Sequence, residues 1–189
     1  MIIPITGSYR WTGSFDQPRP LTAEKKTHIH GAEDLASGPG AKILAPEAGR
    51  LYCFCAIRPD TKRSLGELAS VGWAFDFLGR PYFYDVYGGV LIIVSKDGSR
   101  THLLTHSYRN QIFNEVGIRP IVQESPKDER FPICAEHTFH NGGREVREGQ
   151  EICGVGNAGF STGHHIHWEI HHGQQWTEYH LRPRPRSMV

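Results

Sequence analysis

The chain has almost no net charge: 21 Lys and Arg stand against 20 Asp and Glu, a formal balance of +1. Binding to nucleic acid through counterion release needs clustered cations, so no nucleic-acid partner is expected. Long apolar runs are lacking too. The opening MIIPITGSYRW is apolar only until Pro4 interrupts it, without the basic and apolar regions of a secretory signal. No stretch approaches the roughly 20 apolar residues of a membrane helix, so membrane insertion is not expected. The expectation is a chain mature as it stands, or one that leaves its cell by lysis or by assembly into a particle. Cysteine is scarce. Cys53, Cys55, Cys134 and Cys153 include no C-x-x-C pair of the kind found in zinc knuckles or redox sites. Cys53 and Cys55 have strand spacing and read as small buried hydrophobes. A disulfide from Cys134 to one of the others cannot be read from the sequence. Internal repeats and interdomain linkers are missing as well.

What is present is punctuation. The 21 Gly and 12 Pro break the chain into many short elements. Its 189 residues suffice for one domain, 1–189, with its own core. Strands are expected at Ala41–Pro46, Gly49–Ile57, Val90–Ser95, Arg100–Ser107, Glu151–Gly156 and His165–His171. Asp97-Gly98 supplies a hairpin turn. Between them lie two irregular stretches, 58–88 and 108–144, read as long loop insertions. A short helix is expected at Ser64–Val71, and the aromatic run Trp73–Tyr87 reads as a satellite core. Residues 1–26 read as a leader packed over the domain, and 182–189 as an extended tail. The fold class is therefore mainly β, with an antiparallel core and little helix.

Histidine is abundant, with 12 residues. It is the commonest metal ligand and titrates near neutrality, so spacing decides its meaning. His30-Gly-Ala-Glu-Asp34 sets an imidazole and a carboxylate four apart. The neighbouring glycines disfavour a helix and place them at a strand end or turn. His165-Ile166-His167 puts two imidazoles on one face of a strand, because side chains alternate. Such a pair supplies one ligand and one neighbouring acid/base group. His106 ends a buried strand, where a lone histidine is ordinarily a hydrogen-bonded wall residue. A His, Asp, His set leaves a fourth tetrahedral position for water, the arrangement of a catalytic zinc site. Bound zinc lowers the pKa of water from about 15.7 to roughly 7, and the remaining histidines can then move protons. His137 and His140 form no evident second site. His28 reads as a surface residue, and His171, His172 and His180 as solvated.

Three segments carry a resemblance. His30-x-x-x-Asp34 followed by ILAPEAGRL (Ile43–Leu51), the strand end LLTHS (Leu103–Ser107), and VREGQEICGVGNAGFSTGHHIHWEI (Val146–Ile170) are together similar to the lysostaphin-like zinc endopeptidases. The match covers about 27–57, 89–108 and 145–173. It departs from the family pattern at Gly31, Glu33, Thr105 and His164. The resemblance implies an antiparallel β core with a groove over one Zn²⁺ per chain, held by His30, Asp34 and His167. It implies that His165 and His106 serve acid/base catalysis and oxyanion stabilisation. The substrate it implies is bacterial peptidoglycan, cut in stem peptides or cross-bridges by attack of zinc-bound water. A phage endolysin released at lysis, or a virion-associated lysin meeting other virion proteins, fits the missing signal. The competing expectations are a non-catalytic scaffold of the same fold and a virion structural protein with a structural zinc.

Overall fold

A computed structural model describes residues 1–21, 26–58, 73–75, 81–108, 115, 121–124, 143–158, 161–173 and 180–181. The strands among them are β1 (Tyr9–Gly13), β2 (Pro18–Leu21), β3 (Lys26–Ile29), β4 (Glu33–Ser37), β5 (Lys42–Leu44), β6 (Gly49–Arg58) and β7 (Trp73–Phe75). They continue with β8 (Pro81–Ser95), β9 (Arg100–Ser107), β10 (Ile121–Glu124), β11 (Arg144–Val146), β12 (Glu151–Gly154), β13 (His165–His172) and β14 (His180–Leu181).

One large sheet runs β1-β4-β13-β9-β8-β6-β10, with β7 on β8, β11 on β6 and β14 on β13. Its described pairs are antiparallel except β10 on β6, so the mainly antiparallel expectation is met. Two further pairs, β12–β5 and β2–β3, stand apart from it. Among the described residues no helix is long and apolar enough to cross a membrane.

The core lies between one face of the large sheet and the β5–β12 pair. Leu35, Leu51, Leu91, Ile93, Leu104, Ile166 and Trp168 come from the sheet and meet Ile43, Ile152 and Val155. Alternation along β13 explains this division. Ile166, Trp168 and Ile170 enter the core, and the residues between them take the opposite face. Each buried Leu or Ile contributes about 1.5–3 kcal/mol, so this packing fixes the position of β13.

Three expectations change. The segment read as a leader supplies an edge strand, β1, and Ile5 to the core. The stretches read as loop insertions contain β7, the first part of β8, and β10. β8 begins well before Val90, because its aromatic and β-branched run favours strand on both sides of Gly88-Gly89. The glycine pair marks a register shift within the strand, not its start. The expected helix Ser64–Val71, Cys134, His137, His140 and the 182–189 tail lie outside the described residues, as do the side chains of the aromatic run. Cys53 and Cys153 are buried, matching their reading as small hydrophobes.

Candidate metal centre

The register of β13 on β4 builds the centre. His167 lies directly opposite Asp34 and His165 opposite Ala36, and directly opposed residues of an antiparallel pair share a face. His30 stands between β3 and β4. Its backbone is tied to the preceding loop, accepting from Asp16 N–H at 2.9 Å and donating to Gln17 O at 3.0 Å. His30 and Asp34 are almost wholly buried.

Three ligand atoms converge. His30 Nε2 lies 3.1 Å from His167 Nδ1 and 3.2 Å from Asp34 Oδ1, and His167 Nδ1 lies 3.0 Å from Asp34 Oδ1. Zinc bonds of 2.0–2.2 Å in a tetrahedron separate ligand atoms by about 3.3 Å. The triangle therefore fits a zinc ion with little movement, and its two nitrogens and one oxygen are a donor set that zinc accepts.

The surrounding hydrogen bonds fix which nitrogen of each ring faces inward. His30 Nδ1–H donates to Ser14 O at 3.1 Å. His167 Nε2–H donates to Glu169 Oε1 at 2.8 Å. His165 Nδ1–H is shared between Gly163 O at 2.8 Å and Ser161 Oγ at 3.0 Å. The Ser161 hydroxyl is held in turn by Asn157 Oδ1. His106 Nδ1–H donates to Ala158 O at 2.8 Å. Each imidazole spends one nitrogen on an oxygen of the surrounding protein and leaves the other to face the cluster. For His165 that second nitrogen, Nε2, lies 4.0 Å from Asp34 Oδ1. The His106 ring centroid is 4.4 Å from that of His165 and 5.9 Å from that of His167.

His106 reaches this place through an unusual backbone. Strand alternation after Leu104, a core residue, would turn His106 into the core as well. Instead it takes φ +70, in the left-handed region. The glycine-rich loop after β12 holds it there, since Ala158 N–H donates to His106 O at 2.9 Å. Gly156 is needed for this approach, because a Cβ there would collide with His106 O.

Charge in the centre is uneven. Burial opposes ionisation of Asp34, but hydrogen bonds from His167 and His30 outweigh it and hold the carboxyl far below its usual range. Burial likewise works against charge on His167, yet Asp34 and Glu169 raise it to about 9. Burial, with His165 and His167 adjacent, pushes His106 down to about 3, so that ring is neutral. Two buried carboxylates, Asp34 and Glu169, thus face a centre suited to a cation.

All five residues singled out in the sequence, His30, Asp34, His167, His165 and His106, lie in this one cluster. Glu169, Ser161, Asn157 and Ala158 were not foreseen. The period-two spacing that pairs His165 with His167 also reaches Glu169, but the backbone partners carry no signal in their residue types. One expectation fails. His171, read as solvated, is fully buried and donates Nε2–H to Glu169 Oε2 at 2.7 Å. It faces the same side of β13 as Glu169, so alternation carries it inward. His172 is exposed, as expected.

No protein-family model and no curated relative matches the sequence. Solved structures do match in shape. The catalytic domain of lysostaphin from Staphylococcus simulans superposes with a TM-score of 0.54 at 16% identity, over 96% of this chain and 93% of that one. A zinc-containing peptidase from Vibrio cholerae gives 0.53 at 15% identity, over 94% of this chain but only 37% of its own. The catalytic domain of a mutant of the prophage-encoded protein EnpA from Enterococcus faecalis gives 0.51 at 21% identity, over 95% and 93%. Matched along nearly its whole length and built on a mainly antiparallel sheet, the chain has the fold of the lysostaphin-like peptidases.

Proposed function

We propose that the chain is a zinc-dependent endopeptidase that hydrolyses peptide bonds in bacterial peptidoglycan. The observation that carries this reading is the hydrogen-bonding pattern of the four imidazoles. A structural zinc needs only ligands, whereas here two further histidines, His165 and His106, are held beside the ligand set by Nδ1–H bonds to Gly163 O and Ala158 O. The same observation supports catalysis over the scaffold and structural-zinc readings. The fold shared with lysostaphin supports the substrate class.

His30 Nε2, His167 Nδ1 and Asp34 Oδ1 would hold the ion. A zinc ion there supplies Lewis acidity, polarising the scissile carbonyl and lowering the pKa of water. The chain's own residues handle the protons. His165, less buried than His106, accepts a proton from water at Nε2 while Gly163 O and Ser161 Oγ keep its Nδ1–H in place. The resulting imidazolium then donates to the departing amine, so one group serves as base and then as acid. His106, neutral with its Nδ1–H on Ala158 O, presents Nε2 as a proton acceptor beside His165, and it stabilises the oxyanion only once that nitrogen has taken up a proton.

The cell wall is the proposed place of action, reached by release at lysis or on a phage virion alongside other virion proteins. The prophage origin of the Enterococcus faecalis neighbour is consistent with this. The test is digestion of purified peptidoglycan with products identified by mass spectrometry. New amino termini in stem or bridge peptides, suppressed by a chelator, are expected. Products cut only in the glycan strands, or none, would sink the proposal.

A further inference from the structure

The exposed-to-buried order along β13 continues past the residues used so far. His165, His167, Glu169 and His171 occupy every second position and therefore one face. Their side chains are 15%, 14%, 2% and 0% exposed, so the row runs from the mouth of the site into the interior. A carboxylate as deep as Glu169 is retained only when both oxygens are engaged. Here they are. Oε1 accepts from His167 Nε2–H at 2.8 Å, and Oε2 accepts from His171 Nε2–H at 2.7 Å. Pairing with β9 places Glu169 opposite Leu103 and His171 opposite Thr101, which fixes the strand beneath them.

We propose that Glu169 and His171 are a positioning pair for the metal ligand His167. The inference rests on the reading of His30, Asp34 and His167 as the ligand set. A neutral imidazole carries its proton on either nitrogen, and with the proton on Nδ1 it offers no lone pair toward His30 and Asp34. The Glu169 carboxylate selects the other tautomer and also makes the ligating nitrogen a better donor. His171 acts one step further out. By holding Oε2 it stops the carboxylate from rotating away from His167. The fully buried histidine thus acts on the centre without touching it.

The test uses metal-free full-length protein and zinc alone. Zinc affinity is measured by competition with a chromophoric chelator for wild type, Glu169→Gln and His171→Asn, beside thermal unfolding of each metal-free form. Glu169→Gln is expected to weaken zinc binding about 10–100-fold, and His171→Asn by a smaller factor in the same direction. Cobalt(II) in place of zinc is expected to show altered d–d bands in both variants, a change that a purely structural role does not produce. Unchanged affinity in cooperatively folding variants would overturn the inference. Should Glu169→Gln fail to fold, nitrogen NMR of zinc-loaded wild type decides. A proton on His167 Nε2 is expected, and its absence overturns the inference. Failure of the wild type itself to bind zinc would instead remove the ligand reading on which the pair depends. Zinc binding without peptidoglycan cleavage would remove the proposed activity alone.

Discussion

Four imidazoles in one cluster would ordinarily compete for tautomers, and here each is settled by an oxygen outside the cluster: Ser14 O, Glu169 Oε1, Gly163 O with Ser161 Oγ, and Ala158 O. That is a property of single residues, and much of it was not legible in the sequence. Histidine and aspartate announce themselves by type and spacing, so His30, Asp34, His165 and His167 could be selected from periodicity and motif. Three of the four rings are oriented by backbone carbonyls, which any residue could provide. The left-handed backbone of His106 was equally hidden, since nothing in Leu103-Leu104-Thr105-His106 departs from an ordinary strand. Its dependence on Gly156 gives a sharp expectation. Gly156→Ala forces a methyl group against His106 O and should displace the His106 ring. Hydrolysis should fall at least about tenfold while zinc content is kept, a combination that metal analysis and peptide-release rates check together. Unaltered rates would show that the position of His106 is irrelevant to the chemistry.

At the scale of elements, the register of β13 between β4 and β9 does most of the work. It puts His167 against Asp34 and sends Trp168 into the core. The β9 and β13 expectations came close because both strands are rich in β-branched or apolar residues at alternate positions. β1 and β4 were missed. Tyr9–Gly13 and Glu33–Ser37 are only five residues each, too short for a sustained periodic signal, and tertiary pairing makes them strands. A second polar link ties these elements together away from the metal centre. Arg100 donates to Glu47 through Nε at 3.1 Å and through its terminal nitrogen at 2.7 Å. His102 Nε2–H donates to the same carboxylate at 2.5 Å, and Trp168 Nε1–H donates to His102 Nδ1 at 3.1 Å. The Trp168 bond keeps His102 neutral, in line with burial lowering its pKa, so Arg100 is the charged partner. Burial opposes ionisation of Glu47, but His102 and Arg100 outweigh it and bring its pKa from 4.5 to about 2. A depressed carboxyl stabilises the fold above its unfolded pKa, and that contribution is lost as pH falls from about 4.5 toward 2. Glu47→Gln should therefore cost about 2 kcal/mol at pH 7, discounted for the partly exposed Arg100. The gap to wild type should narrow through that acid window in urea-unfolding curves. A gap that is constant with pH would contradict this account of Glu47.

For the molecule as a whole, the mainly antiparallel architecture was readable because glycine, proline and β-branched runs mark strands and turns locally. The joining of β10 to β6 in parallel was not, since parallel pairing leaves no local signature. The core that results encloses Cys53 and Cys153, and burial pushes the Cys153 thiol up to about 12. Iodoacetamide at pH 8 should leave both unmodified in the native protein and label both after denaturation, as peptide mass spectrometry would report. Rapid native labelling at either would mean that the core is not closed around them. The central claim is a division of labour, with His30, Asp34 and His167 holding zinc and His165 moving protons beside it. It is tested most directly by measuring zinc content and peptide release from peptidoglycan on the same preparations of wild type, Asp34→Ala and His165→Ala. The account predicts near-stoichiometric zinc in wild type, loss of both zinc and activity in Asp34→Ala, and retained zinc with activity lowered by about 10²–10⁴-fold in His165→Ala. Full activity in His165→Ala, or undiminished zinc in Asp34→Ala, would contradict it.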